Sequence, residues 1–89
     1  MYEKYCIINL KAYEEVFDTN LSEFIEKIEN CSNLANELGV NLILCINSYD
    51  LKQATQQAKN VQIYAQHVDP VDFGSRTGHF PSICAIRLG

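Results

Sequence analysis

Residues 40–46, Val-Asn-Leu-Ile-Leu-Cys-Ile, form a nearly unbroken apolar run of strand length. A strand with one wet face alternates polar and apolar residues. A strand apolar on both faces must be covered on both, as in a parallel sheet packed by helices. Two further runs have strand character. Residues 5–11 open apolar with Tyr5, Cys6, Ile7 and Ile8. In residues 61–66, Val61, Ile63 and Ala65 alternate with Gln62, Tyr64 and Gln66. Between the first two runs, Leu21, Phe24, Ile25, Ile28, Cys31, Ala35 and Leu38 recur at helical spacing. Asn20 with Glu23 resembles a capping box at the start of that helix, and Gly39 fits a left-handed stop at its end. Ser48 is placed to cap a second helix over residues 49–59, with Leu51, Ala54 and Ala58 inward. Pro81 fits the first turn of a third helix, and Gly89 its stop signal. The order strand, helix, strand, helix, strand, helix predicts an α/β fold with parallel βαβαβα connectivity.

The polar residues of the first run arrive only at its end, as Asn9 and Lys11. Residues two apart share a strand face, so the two point together and Leu10 points the other way. An inward lysine at the carboxyl end of a parallel strand is costly unless something anionic meets it. The competing reading is that Lys11 reaches solvent from the strand end. No glycine-rich phosphate loop follows any strand, since the first is succeeded by Lys11-Ala12-Tyr13. That argues against a dinucleotide domain.

After residue 66 the chain enters a loop of about a dozen residues, from Asp69-Pro70 through Gly74 and Gly78 to Pro81. Loops of this length inside compact domains are usually functional or disordered; this one is not low-complexity and Phe73 gives it something to bury, so it reads as an ordered protruding loop at the C-terminal end of a strand. Arg76 and Asp69 are expected to be able to pair within it. His67 and His79 are expected to be structural or loop histidines.

The stretch from Tyr64 to Pro70 and on through Gly74-Ser75-Arg76-Thr77-Gly78-His79 resembles the third strand and third loop of the triose-phosphate isomerase family, closest to its archaeal type. Asn9-Leu10-Lys11 matches the family's Asn-x-Lys substrate-binding pair. The segment Cys45-Ile46-Asn47-Ser48 departs from the pattern, where relatives tend to have a small residue and prolines. The resemblance implies the first three units of a (β/α)8 barrel, cut short against the roughly 250 residues typical of that fold. It implies interconversion of dihydroxyacetone phosphate and glyceraldehyde 3-phosphate in glycolysis and gluconeogenesis, with no cofactor and no metal. It implies substrate binding by Asn9 and Lys11. It also implies self-association, as a dimer or tetramer, through the 68–79 loop, with Gly74, Thr77 and Gly78 at the contact. The family's general base and electrophile would lie beyond Gly89, on later strands, so His67 is not the catalytic histidine. The 89-residue chain alone is therefore expected to be inactive. The alternative reading is a small non-catalytic α/β interaction module.

Composition narrows the partners. Eighty-nine residues make at most one domain, here a single partial one, and 47% hydrophobic with 20% charged residues is a globular mix. A net charge of −4 argues against a nucleic-acid surface. No apolar run approaches the length of a membrane span, and residues 1–3 are expected to lead straight into the first strand without a signal peptide, favouring the cytoplasm. The four cysteines, Cys6, Cys31, Cys45 and Cys84, have no short pairs. They are expected to be buried free thiols rather than a zinc site or a disulfide framework.

Overall fold

The computed structural model describes residues 4–89. The expected lead-in at residues 1–3 lies outside the described residues. The elements are β1 (Lys4–Asn9), α1 (Thr19–Glu29), α2 (Ser32–Glu37), β2 (Val40–Ile46), α3 (Leu51–Gln57), β3 (Gln62–Ala65) and α4 (Ser82–Leu88), with 3-10 turns at Glu14–Val16 and Ser48–Asp50. The three strands form one parallel sheet in the order β1-β2-β3. Ile7 lies opposite Ile43 and Asn9 opposite Cys45; Ile46 lies opposite Ala65.

The α/β reading holds, and the sequence explains which face is covered. Leu10 of the β1 end and Leu44 and Ile46 of β2 pack with Leu21 and Ile25 of α1, Ala54 of α3 and Val61. Ile8, Leu42 and Ile63 extend this face. The other face has no helices among the described residues. Tyr5, Ile7 and Tyr64 are 63%, 61% and 50% exposed there. Ile43, in the central strand, is 2% exposed yet stands outside the core cluster.

Four local expectations are corrected. The first helix breaks at Asn30-Cys31 into α1 and α2. It starts at Thr19 after Asp18, with no side-chain cap; the Asn20 amide instead donates to the Glu14 carbonyl at 3.1 Å. The second helix opens as the 3-10 turn Ser48–Asp50, capped by Asn47, whose Oδ1 accepts the Tyr49 N–H at 3.0 Å, and not by Ser48; α3 follows it with no side-chain cap of its own. The cysteines are free, but Cys6 and Cys31 are exposed and Cys45 and Cys84 only half-buried. Cys6 lies on an edge strand, and Cys31 falls at the break in the helix, which turns it off the apolar stripe.

Gly39 does end its helix in the left-handed region, at φ 69°. Pro81 stands one residue ahead of α4 in extended geometry, where its missing N–H is harmless. Among the described residues no helix is long and apolar enough to cross a membrane.

Candidate functional site

The carboxyl ends of the three strands meet around one side-chain amide. β1 stops at Asn9, two residues earlier than expected. Lys11 is therefore off the ladder, in a turn at φ 55°, and the shared-face argument does not reach it. What joins the two residues is a hydrogen bond: the Lys11 N–H donates to Asn9 Oδ1 at 3.0 Å. Gln66, just past β3, donates through Nε2 to Asn9 Oδ1 at 3.1 Å, to the Lys11 carbonyl at 3.0 Å and to the Cys45 carbonyl at 3.1 Å. Asn9, Lys11 and Gln66 are all exposed. The Lys11 ammonium makes no ion pair with another described residue. It is a point charge at a strand end, held by its backbone and open to an anion.

Gln66 was missed as a site residue. Its signal was the same as that of Asn9: a polar side chain closing an otherwise apolar strand run. Alternation alone assigns such a residue only to a wet face.

The long loop is tied at its neck by Asp69. Its N–H donates to the Phe80 carbonyl at 2.7 Å, and its carbonyl accepts the Ser82 N–H at 3.1 Å. Its carboxylate accepts the Phe80 N–H at 2.8 Å and stands 3.0 Å from His67 Nε2 and 3.6 Å from His79 Nδ1. The Phe80 N–H, with the two imidazoles adding to it, holds the Asp69 carboxyl below its usual range. The expected Asp69–Arg76 pair does not form: Arg76 Nε donates to the Asp72 carbonyl at 3.3 Å. Phe73 is not buried, and the Arg87 guanidinium lies 5.0 Å from its ring centre. Gly74 at φ 133° and Gly78 at φ 84° take conformations that side chains with a Cβ rarely adopt. Thr77 between them is exposed, and no hydrogen bond joins it to the Asn9–Lys11–Gln66 cluster.

A cleft of about 300 Å³ opens between the Ser48–Asp50 turn and α4, lined by Tyr49, Leu51, His67, Phe80, Cys84 and Leu88. It does not include Asn9 or Lys11. Among the described residues no three His, Cys, Asp or Glu side chains are grouped to hold a metal ion.

Comparison with known proteins covers nearly the whole chain. Residues 4–89 match the family model described as triosephosphate isomerase. A triosephosphate isomerase of Caldivirga maquilingensis is 40% identical over 78 residues, which cover 84% of this chain and 32% of that protein. One from Methanothermus fervidus is 31% identical over 83 residues, 93% of this chain and 36% of that protein. One from Saccharolobus solfataricus is 39% identical over 72 residues, 81% of this chain and 30% of that protein. The chain thus spans about a third of the length of these relatives.

Proposed function

The chain belongs to the triosephosphate isomerase family, and on that premise we propose that it supplies the first three βα units of an aldose–ketose isomerase barrel. The substrates are dihydroxyacetone phosphate and glyceraldehyde 3-phosphate. The observation that carries this reading is the Asn9–Lys11 turn at the carboxyl ends of parallel strands, the end where barrels of this kind do their chemistry.

Proton abstraction beside a carbonyl builds negative charge on oxygen. A cation fixed in place before the reaction stabilises that charge without having to reorganise. Lys11 supplies the cation, and the same ammonium attracts the substrate's phosphate. Asn9 fixes the Lys11 turn and offers its amide to the substrate. In this reading the proton-transfer groups lie outside this constellation, on later strands of the barrel. The 89 residues alone therefore do not turn over substrate, since losing a general base typically costs on the order of 10²–10⁴-fold.

The 68–79 loop, with Gly74, Thr77 and Gly78 at its tip, serves self-association, as a dimer or tetramer. Its tied neck and exposed Val68, Phe73 and Phe80 support that role. Four unpaired thiols fit a reducing compartment, and we place the protein in the cytoplasm, in glycolysis and gluconeogenesis. The test is to fuse this chain to the remaining two thirds of the Caldivirga maquilingensis relative. The fused protein is expected to interconvert the two triose phosphates, and the isolated chain to stay at the blank. A folded but inactive fusion contradicts the proposal.

A further inference from the structure

We propose that Arg87 braces the 68–79 loop against α4, so that the loop tip is already held for a second copy of this chain; this deepens the self-association reading above and rests on it. The neck of the loop is closed by the Asp69 hydrogen bonds to Phe80 and Ser82. A closed neck fixes where the loop starts and ends, not the angle at which it leans from the body. The hydrogen bonds further out do not fix that angle either. The Val71 N–H donates to the Asp69 carbonyl at 2.8 Å, the Arg76 N–H to the Gly74 carbonyl at 2.9 Å and the His79 N–H to the Arg76 carbonyl at 2.9 Å, all between near neighbours in the chain. Packing leaves the angle open as well. No residue of α4 is buried. A groove of about 370 Å³ opens between Pro70, Val71 and Asp72 of the loop and Ser82, Ile83 and Ile86 at the helix.

Arg87 reaches across from the last turn of α4. Its guanidinium stands 5.0 Å from the centre of the Phe73 ring, within the reach of roughly 6 Å at which a ring face attracts a cation. It makes no ion pair with another described residue, so its charge is not drawn elsewhere. Phe73 directly precedes Gly74, which at φ 133° turns the chain toward Thr77 and Gly78. Holding Phe73 therefore holds the base from which the tip departs. The ring is still 52% exposed, which leaves apolar surface for a partner. Association is weakened by whatever ordering it must impose, and a loop ordered beforehand loses less.

An exposed contact of this kind favours the braced loop about two- to fivefold. A two-fold dimer uses the loop once from each copy, so the effect enters twice. The fused protein is the one to measure, because the open sheet face of the isolated chain associates on its own account. In it, Arg87→Gln is expected to raise the dimer dissociation constant about 4- to 25-fold, read by sedimentation over a dilution series. Arg87→Lys keeps the cation and is expected to fall between. Phe73→Leu keeps an apolar side chain without a ring face and is expected to match Arg87→Gln. The two changes together are expected to lose no more than the larger of them alone, because they remove one contact. In proton NMR the Arg87 Nε–H resonance is expected to lie upfield, shifted by the ring, and to return to its ordinary position in Phe73→Leu. An unchanged dissociation constant in Arg87→Gln, losses that multiply in the double variant, or an Arg87 resonance that Phe73→Leu leaves in place overturns the proposal. A fused protein that stays monomeric at every concentration sinks the self-association reading, while the Arg87 resonance still decides whether Phe73 holds the guanidinium.

Discussion

Lys11 and Glu29 show how backbone donors give single side chains their roles. At Lys11 they fix a cation that the sequence marked only by its place at the end of an apolar run. Shared-face reasoning placed Asn9 and Lys11 together, and they are together, but through a side chain capping a turn rather than through strand pleat. Glu29 lies off the apolar stripe of the first helix, on the face that periodicity alone assigns to solvent. Its carboxylate instead accepts the N–H groups of Lys59, Asn60 and Val61, at 2.8 Å for the last, closing the approach to β3. Partial burial pushes this carboxyl up, and the donors from Val61, Asn60 and Lys59 more than offset it, leaving it below its ordinary value of 4.5. A carboxyl with a depressed folded pKa contributes stability above its unfolded pKa and loses it as pH falls through the folded value. Glu29→Gln is therefore expected to destabilise at neutral pH by about 1 kcal/mol, the worth of an ordinary hydrogen bond. The gap between wild type and variant should close as pH drops below 4.5, as urea midpoints across pH would show. A pH-independent gap would remove the charge from the explanation. Long-range partners such as residues 59–61 leave no mark in local periodicity, so this contact was not legible in advance.

At the scale of elements, every strand and helix existed where the alternation put it, and the differences lie at ends and breaks. Caps failed because neighbouring candidates compete: Asn47 and Ser48 both suit an N-cap, and the one whose oxygen reaches the Tyr49 N–H takes the role. Asn47→Ala is expected to cost about 1 kcal/mol and Ser48→Ala much less, a ranking that thermal melts test directly. The loop reads as ordered from its mixed composition and from Phe73, but Phe73 is exposed, and the clasp expected of Arg76 falls instead to the histidines that flank Asp69. Gly78, at φ 84° with open space around it, meets no steric obstacle to a methyl group, only a backbone penalty. Gly78→Ala should thus strain the loop by about 1–2 kcal/mol and speed proteolysis within 68–79, leaving the strands intact. Cleavage at the wild-type rate would show that the positive φ is not needed.

Over the whole molecule, one sheet face carries the core and the other carries exposed Tyr5, Ile7 and Tyr64, with β1 and β3 as sheet edges among the described residues. Open edges and apolar faces invite association. The isolated 89-residue chain is expected to sediment as a self-associated species that binds a hydrophobic dye, and Ile7→Lys to shift it toward monomer. A compact wild-type monomer with a sharp melt would contradict this. Parallel, helix-covered strands were legible because strands 40–46 and 5–11 are apolar on both faces; which face lacks a cover was not, because it depends on what the chain packs against. The same apolar inner positions are those that further βα units of a barrel would cover. The central claim, that this chain forms the Lys11-bearing end of a triose phosphate isomerase barrel, is tested most directly by turnover of the fused protein with and without Lys11→Ala. The account predicts isomerase activity in the first and a loss on the order of 10²–10³-fold in the second, as for removal of a key charge-stabilising group. Equal turnover in both would contradict it.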